Sequence, residues 1–313
     1  MPGEENRGNL FLVPKDFVLS RPAQTEVWSA EDSQAYTRWL ATHHYENFHV
    51  ASFLLPKRLQ QDFFNVYAFC RWADDLGDEI GDPEESLRLL NWWRGELEAM
   101  YAGETRHPVF VALAGTAQRH ELPIDPFSDL IRAFVQDQNV TRYRSYEELL
   151  EYCRYSANPV GRLVLYLCGY RDEERQRLSD CTCTALQLAN FWQDVTLDIE
   201  KDRVYIPLDL MERHGYTVAE LYMGRYNPSF RTAMAELVSR ARNLFEAGQP
   251  LSGMVDRRLA LDIELFSRGG LKVLDKIEEL DYNVLAHRPV ISATERASLL
   301  LRTLLHITFA RAA

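Results

Sequence analysis

Hydrophobic positions recur at helical spacing from Ala30 almost to the end of the chain, and no segment of convincing length alternates as a β-strand does. Prolines separate the periodic segments, whereas glycine-rich linkers, low-complexity blocks and repeats are absent from the sequence. The pattern predicts an all-α protein with a single helical domain at residues 31–313, preceded by an irregular arm at residues 1–30. Residues 201–230 interrupt the uniform pattern and predict a loop-rich crossing.

Two of the predicted helices carry polar residues in an unusual setting. The first spans residues 62–79, and the side chains of Tyr67, Arg71, Asp74 and Asp78 lie at spacings of three or four, which places them on one face. The other faces are mostly apolar, and a helix that is apolar nearly all round is typical of a protein interior. We therefore favour a buried acidic stripe over a solvated acidic face, the more usual explanation of such spacing.

The second helix, residues 184–198, repeats the arrangement with Gln187, Asn190, Asp194 and Asp198. Carboxylates on one helix face repel one another, and the cost of burying an isolated carboxylate is large, so both stripes predict a positive partner. Oxygen ligands in this number favour Mg²⁺, which usually completes its coordination with water and substrate phosphate. The stripes thus indicate a magnesium site that binds a phosphorylated small molecule.

Charge and composition narrow the class of ligand. The chain has 35 Lys and Arg against 46 Asp and Glu, a formal net charge of −11, which disfavours a nucleic-acid surface. Arg71 and Arg203 are suited to phosphate oxygens, and no nucleotide-binding glycine motif occurs. An organic diphosphate is therefore favoured over a nucleotide.

The remaining features of the sequence predict the cellular compartment of the protein. The five cysteines form no CxxC pair, and the sequence predicts neither a secretory signal nor a membrane-spanning helix. We expect a cytoplasmic protein, peripheral to the inner membrane face if its substrate is a lipid fetched from that surface.

The motifs in these segments resemble those of the squalene/phytoene synthase family. Asp74-Asp-Leu-Gly-Asp-Glu79 resembles its first aspartate-rich motif, and Asn190-x-x-x-Asp194-x-x-x-Asp198, continued to Pro207, resembles its second. Between them, the segment Tyr152–Gly161 resembles a third family signature. The resemblance implies an isoprenoid-synthase-type helical bundle around a central pocket.

The resemblance also implies roles for individual residues. The expected ligands of about three Mg²⁺ ions are Asp74, Asp78, Asn190, Asp194 and Asp198. Arg71, Gln187 and Arg203 are expected to bind the diphosphate, with Tyr67 beside them, and Tyr152 and Tyr205 are expected to act in catalysis with the aspartates. Tyr282 and Arg288-Pro289 resemble a C-terminal segment of the family.

One segment departs from the condensing members of the family. The sequence His44-Tyr45-Glu46-Asn47-Phe48 has an acid and an amide where those members commonly have hydroxyl groups. This departure resembles the hydroxysqualene synthase branch, which converts presqualene diphosphate to an alcohol by adding water. Tyr45, Glu46 and Asn47 are then candidates to position the water, and His44 is a candidate acid or base. Gly269-Gly270, where relatives often have a bulky aromatic residue, suggests a reshaped pocket.

The sequence is also compatible with other functional hypotheses. A condensing enzyme would join two prenyl diphosphates to squalene, dehydrosqualene or phytoene. A non-catalytic helical protein would use its acidic faces to bind a basic partner, although the apolar surround of both stripes disfavours it. We expect no NADPH-dependent reduction because no dinucleotide motif is present. If the protein is a hydroxysqualene synthase, it would be functionally coupled to a presqualene diphosphate synthase and a hydroxysqualene reductase.

Overall fold

The structure is a computed structural model of the 313-residue chain that describes residues 11–20, 27–43 and 57–310; for residues 301–302 and 304–310 it describes the backbone alone. Within these ranges the regular structure is helical, and the pairing of β type is an isolated parallel bridge between Arg142 and Val204. The predicted all-α class is confirmed. No described helix is long and apolar enough to span a membrane.

The described helices are numbered here in chain order. They are α1 (Pro14–Leu19), α2 (Ala30–His43), α3 (Lys57–Asp78), α4 (Pro83–Tyr101), α5 (Pro108–His120), α6 (Asp125–Asp137), α7 (Tyr146–Ser156), α8 (Asn158–Leu167), α9 (Glu173–Gln193), α10 (Val195–Glu200), α11 (Leu208–Arg213), α12 (Val218–Tyr222), α13 (Pro228–Gly248), α14 (Arg257–Glu279) and α15 (Ala293–Ala310). A 3₁₀ turn at Gln249–Gly253 joins α13 to α14.

Prolines and capping residues set the helix boundaries, as their positions in the sequence suggest. Pro83, Pro108 and Pro228 each occupy the first turn of a helix, where a missing N–H costs no hydrogen bond. The side chain of Asp82 accepts hydrogen bonds from two N–H groups of α4, and Asn227 accepts one from α13.

The chain forms two compact units, one of residues 1–139 and 163–170, the other of residues 140–162 and 171–313. In the first unit α3 packs against α1, α2, α4, α5 and α6. Its core is aromatic: Trp72 and Trp93 are fully buried and stack with ring centroids 4.9 Å apart, and Phe69 lies 5.7 Å from Trp93. This core fixes the orientation of α3 and hence of its acidic stripe.

A buried polar cluster joins α3 to α5 within the first unit. Asp62 is 4% exposed and accepts hydrogen bonds from Thr116 Oγ1 at 2.8 Å and Arg119 Nη2 at 2.5 Å, and its other oxygen lies 2.9 Å from His120 Nε2. Burial alone would raise the pKa of Asp62, but these hydrogen bonds lower it below its ordinary value. The carboxylate is therefore satisfied structurally and is separate from the acidic stripe.

In the second unit α9 packs along α13 and α14, and α15 packs on α14. Gly270 of α14 permits the closest of these contacts, because a Cβ there would lie 3.0 Å from Leu186 Cδ2 and nearer still to the ring of Phe245. A Cβ on Gly269 would contact nothing within 4 Å. Helix packing thus explains Gly270, and the expectation that Gly269-Gly270 reshapes the pocket stays a prediction.

Two expectations are corrected by the structure. The arm predicted as irregular at residues 1–30 contains helix α1, whose Phe17 is 2% exposed and packs edge-on against Trp72 at 5.2 Å. The second acidic stripe does not lie on one continuous helix, because α9 ends at Gln193 and α10 begins at Val195. The region 201–230 consists of short helices and connecting turns, as predicted. The single domain at residues 31–313 stays a prediction.

Candidate active site

The first acidic stripe lies on α3, along the border of its buried face. Arg71 Nη2 lies 2.6 Å from Asp75 Oδ1, and Arg71 Nη1 lies 3.4 Å from Asp74 Oδ2. The Arg71 side chain is 28% exposed and that of Asp74 is 45% exposed, so both are accessible to a ligand. Tyr67, one turn earlier on the same stripe, is half-buried, and burial raises the pKa of its hydroxyl.

Asp75 is a residue that the sequence analysis missed. Its side chain is 5% exposed, and burial, opposed by Arg71, raises the pKa of the carboxyl to about 6. The spacing of four between Arg71 and Asp75 was the signal that could have identified the pair. Asp75 restrains the arginine from the buried side of α3, which leaves Asp74 on the accessible side.

The expectation that both stripes are fully buried is wrong. Asp78 and Asn190 are exposed, and Asp194 and Asp198 are partly exposed. The error arises because apolar residues on the other faces of α3 and α9 bury those faces without covering the stripe. Accessibility suits a site that must admit a ligand, and hydration reduces the cost of the clustered charge.

The second stripe crosses the break between α9 and α10. Asp194 has φ −106° and ψ 16°, ends α9 and begins α10, and its N–H donates to Asn190 O at 2.9 Å. Asp198 N–H donates to Asp194 O at 2.9 Å, so the spacing of four persists through the break. Asn190, Asp194 and Asp198 therefore follow one another at successive turns, as the sequence predicted. Gln187, one turn before Asn190, is half-buried.

The guanidinium of Arg288 lies at this stripe. Arg288 Nε donates to Asp194 Oδ1 at 2.6 Å, where the Asp194 side chain is 16% exposed and that of Arg288 is 42% exposed. The carboxylate oxygens of Asp194 and Asp198 and the amide oxygen of Asn190 are of the kind that Mg²⁺ prefers. Among the described residues, no group of three or more His, Cys, Asp or Glu side chains is arranged as a preformed metal site. The donors present fit the metal, and ligand oxygens from the substrate would have to complete it.

Arg203 is positioned by a tight turn after α10. Its N–H donates to Asp198 O at 2.8 Å, and Asp202 before it has the left-handed φ of 57° that closes this turn. Arg142 holds the turn from outside, with its Nη2 2.6 Å from Asp202 Oδ1. The predicted phosphate-binding Arg203 is thus fixed next to the second stripe.

The structure brings together the two tyrosines expected to act in catalysis. Tyr205 stacks on Phe191 with centroids 3.7 Å apart, and Tyr152 lies 6.1 Å from Tyr205 and 6.2 Å from Phe191. Tyr152 is 4% exposed and Tyr205 is 8% exposed. The pair therefore belongs to a buried aromatic cluster beside the α9 stripe.

Tyr143 completes this cluster and was missed by the sequence analysis. Its ring lies 5.4 Å from Tyr152 and 5.8 Å from Tyr205. Paired extended backbone brings Tyr143 close to Tyr205, since Val204 N–H donates to Thr141 O at 2.9 Å and Leu208 N–H to Tyr143 O at 3.0 Å. This pairing is too short to leave a strand pattern in the sequence.

The signature Tyr152–Gly161 has a packing role in the structure. A Cβ on Gly161 would lie 2.5 Å from Cys183 Sγ and nearer still to Ser179 Oγ, so only glycine fits against α9. Asn158 accepts a hydrogen bond from Thr184 Oγ1 at 2.9 Å in the same interface. These contacts hold the end of α7 and the start of α8 against the helix that carries the second stripe.

The segment of the sequence that departs from the condensing enzymes lies outside the described residues. This applies to His44, Tyr45, Glu46 and Asn47, whose roles stay predictions. The roles expected for the aspartates, arginines and tyrosines above also stay predictions.

Comparisons with known proteins agree with this architecture. The family model described as squalene/phytoene synthase matches residues 41–295. A phytoene synthase of Thermus thermophilus is 34% identical over 292 residues, which is 93% of this chain and 97% of that protein. A hydroxysqualene synthase of Zymomonas mobilis is 36% identical over 236 residues, covering 72% of this chain and 76% of that protein. The crystal structure of squalene synthase HpnC from Alicyclobacillus acidocaldarius superposes with a TM-score of 0.78 at 42% identity, covering 81% of this chain and 96% of that one. The chain therefore belongs to the squalene/phytoene synthase family.

Proposed function

We propose that this protein is a hydroxysqualene synthase that converts presqualene diphosphate and water to hydroxysqualene and diphosphate. The carbon–oxygen bond to diphosphate breaks, and its electron pair leaves with the diphosphate. The carbocation then gains the oxygen of a water molecule, which loses a proton. The reaction consumes no reductant.

The acidic stripes support the diphosphate-releasing step. Asp74 and Asp78 in one unit, and Asn190, Asp194 and Asp198 in the other, would hold Mg²⁺, which supplies positive charge to the departing diphosphate. Arg71 and Arg203, with Gln187, would bind the phosphate oxygens. Each unit thus offers carboxylates together with a guanidinium, the combination that ionisation of a diphosphate requires.

The aromatic cluster supports the handling of a carbocation. Tyr143, Tyr152, Phe191 and Tyr205 form a buried group next to the second stripe. Aromatic faces attract positive charge, and a buried aromatic wall excludes water from a reactive intermediate. Water must then reach the cation at one controlled position.

The choice of the hydroxysqualene synthase branch rests on the segment His44–Phe48, which has an acid and an amide in place of hydroxyl groups. Carboxylate and amide side chains can hold a water molecule by accepting and donating hydrogen bonds. The identity to the hydroxysqualene synthase of Zymomonas mobilis supports the same choice.

A condensing reaction is the second candidate. The 34% identity to a phytoene synthase over 93% of the chain favours it, since that match extends further than the one to the hydroxysqualene synthase. A condensing enzyme would accept two prenyl diphosphates, whereas a hydroxysqualene synthase accepts presqualene diphosphate directly.

Product analysis in labelled water separates these candidates. Purified protein is incubated with Mg²⁺ and either presqualene diphosphate or farnesyl diphosphate in H₂¹⁸O, with an EDTA control. We expect an ¹⁸O-labelled alcohol from presqualene diphosphate and no turnover in EDTA. A hydrocarbon from farnesyl diphosphate, with presqualene diphosphate unused or giving no alcohol, would favour the condensing reaction.

The same assay tests the water-positioning segment. Asn47→Ala and Glu46→Ala should shift products from the alcohol toward rearranged or eliminated hydrocarbons, with diphosphate release retained, because the Mg²⁺ that Asp74 and Asp194 would hold supplies the charge for ionisation. An unchanged product ratio in both variants would show that the water is positioned elsewhere.

The proposed reaction also fixes the neighbouring steps. A synthase that joins two farnesyl units must supply presqualene diphosphate, and a reductase must remove the hydroxyl group of the product to give squalene. Both substrate and product are hydrophobic, so exchange with these enzymes would take place at a membrane surface.

A further inference from the structure

The chain after α14 reverses direction and returns to the end of α9. Asp281 and Tyr282 have positive φ angles of 52° and 67°, and Tyr282 N–H donates to Ile277 O at 2.8 Å, which turns the chain at the end of the helix. Residues 283–291 then lead to α15, which begins at Ala293. This segment, residues 283–291, is called the return segment below.

Two adjacent residues of the return segment bind two adjacent residues at the end of α9. Arg288 Nε donates to Asp194 Oδ1 at 2.6 Å, and Gln193 Nε2 donates to Pro289 O at 2.5 Å. Pro289 is buried although Arg288 and Val290 on either side of it are exposed. The hydrogen bond from Gln193 therefore fixes the backbone that carries the Arg288 guanidinium.

This arrangement conflicts with full occupancy of the metal site. The guanidinium that donates to Asp194 Oδ1 occupies one lone pair of that oxygen, and its charge repels a second cation. The contact with Arg288 therefore weakens Asp194 as an Mg²⁺ ligand through the same oxygen. A diphosphate would offer the guanidinium another acceptor of higher charge.

We propose that Gln193 is a positioning residue that holds Arg288 on Asp194, and that Arg288 leaves Asp194 for the diphosphate when Mg²⁺ binds. The proposal rests on the proposed diphosphate-releasing function. Its consequence is a coupling between two ligands, because Mg²⁺ alone must compete with Arg288, whereas Mg²⁺ with diphosphate need not.

The charge-neutral variant Gln193→Leu tests the hydrogen bond without altering the electrostatics of the site. Mg²⁺ affinity is measured by titration calorimetry with and without inorganic diphosphate. We expect Gln193→Leu to bind Mg²⁺ alone about two- to fivefold more tightly than the wild type, the range for release of a partly exposed ion pair. Its affinity for Mg²⁺ with diphosphate should not rise, so the coupling between the ligands falls.

Arg288→Gln removes the guanidinium altogether. Combined with Gln193→Leu, it gives a double-mutant cycle. Gln193→Leu should have no further effect on Mg²⁺ affinity in the Arg288→Gln background, since the hydrogen bond then has no guanidinium to position. Circular dichroism and melting check that each variant is folded. Equal Mg²⁺ affinities in wild type and Gln193→Leu, or additive effects of the two substitutions, would overturn the proposal.

Hydrogen exchange provides a readout that does not depend on affinity. Saturating Mg²⁺ without diphosphate should increase amide exchange in the return segment of the wild type, and adding diphosphate should restore protection. No change of exchange on Mg²⁺ binding would contradict the proposal, even with the metal site intact. Failure of Asp194→Asn to weaken Mg²⁺ binding would instead remove the metal site itself and with it the proposed function.

Discussion

Asp262 of α14 is a single residue from whose burial an effect on stability can be predicted. It is 4% exposed, neither carboxylate oxygen has a hydrogen-bond partner among the described residues, and burial, with a smaller contribution from Asp256, raises the pKa of the carboxyl to about 8. An unfolded aspartate ionises near its ordinary value. Between these two pKa values the folded state holds a proton that the unfolded state has lost.

Stability should therefore fall as pH rises from about 4 to about 8, by about 1.4 kcal/mol per pH unit for this group. Asp262→Asn removes the ionisation but keeps the size of the side chain. We expect the variant to match the wild type near pH 4 and to exceed it increasingly toward pH 8, as measured by urea unfolding at several pH values. A constant difference between the two proteins across this range would refute the assignment.

Single residues also show how far the sequence could predict the site. The stripe residues Asp74, Asp194 and Asp198 were found from helical spacing, because that spacing survives the break at Asp194. The spacing carries no information on what faces the stripe from distant parts of the chain, so it could not show that Arg288 binds Asp194. Asp75 was overlooked because two adjacent aspartates differ only in which face of α3 they occupy.

At the scale of helices, two adjacent glycines of α14 offer a matched test of packing. A Cβ at Gly270 would overlap the ring of Phe245 and crowd Leu186, whereas one at Gly269 would contact nothing within 4 Å. Gly270→Ala should lower the free energy of unfolding by about 1–3 kcal/mol, since close-packed helices resist added volume. Gly269→Ala should raise it by about 0.5–1 kcal/mol, because alanine favours the helix.

Chemical unfolding of both variants under one set of conditions measures this difference. Equal stabilities would show that α13, α14 and α9 can separate to admit a methyl group, and the packing explanation of Gly270 would then be wrong.

Helices were predicted with more success than the connections between them. Periodicity and proline positions identified the long helices, since an amphipathic face and a helix start are local properties. The break at Asp194 and helix α1 were missed. Helix α1 depends on a contact with another element, because Phe17 packs against Trp72. The short pairing of residues 141–144 with 204–209, which follows α10, likewise joins segments far apart in the sequence.

At the scale of the whole molecule, the formal net charge of −11 includes an acidic stripe in each of the two compact units. If one ligand engages both stripes, then a substitution in either unit should abolish its binding. Melting provides the test, because a ligand that binds only the folded protein stabilises it by about 2.7 kcal/mol at one hundred times its dissociation constant. For a chain of this size the shift in Tm should be about 5 °C.

We expect Mg²⁺ with inorganic diphosphate to raise the Tm of the wild type by this amount and EDTA to reverse it. Asp74→Asn in one unit and Asp194→Asn in the other should each lose the shift. Without metal the Tm of Asp74→Asn should equal or exceed that of the wild type, because the substitution removes one charge that repels Asp75. Asp194→Asn also loses the ion pair with Arg288, so its Tm should not exceed that of the wild type. The exposed acids Glu98 and Glu246 supply one control in each unit, and Glu98→Gln and Glu246→Gln should keep the full shift. If only one of the two aspartate variants lost the shift, the stripes would not share a ligand, and the assignment of both motifs to one metal–diphosphate site would fail.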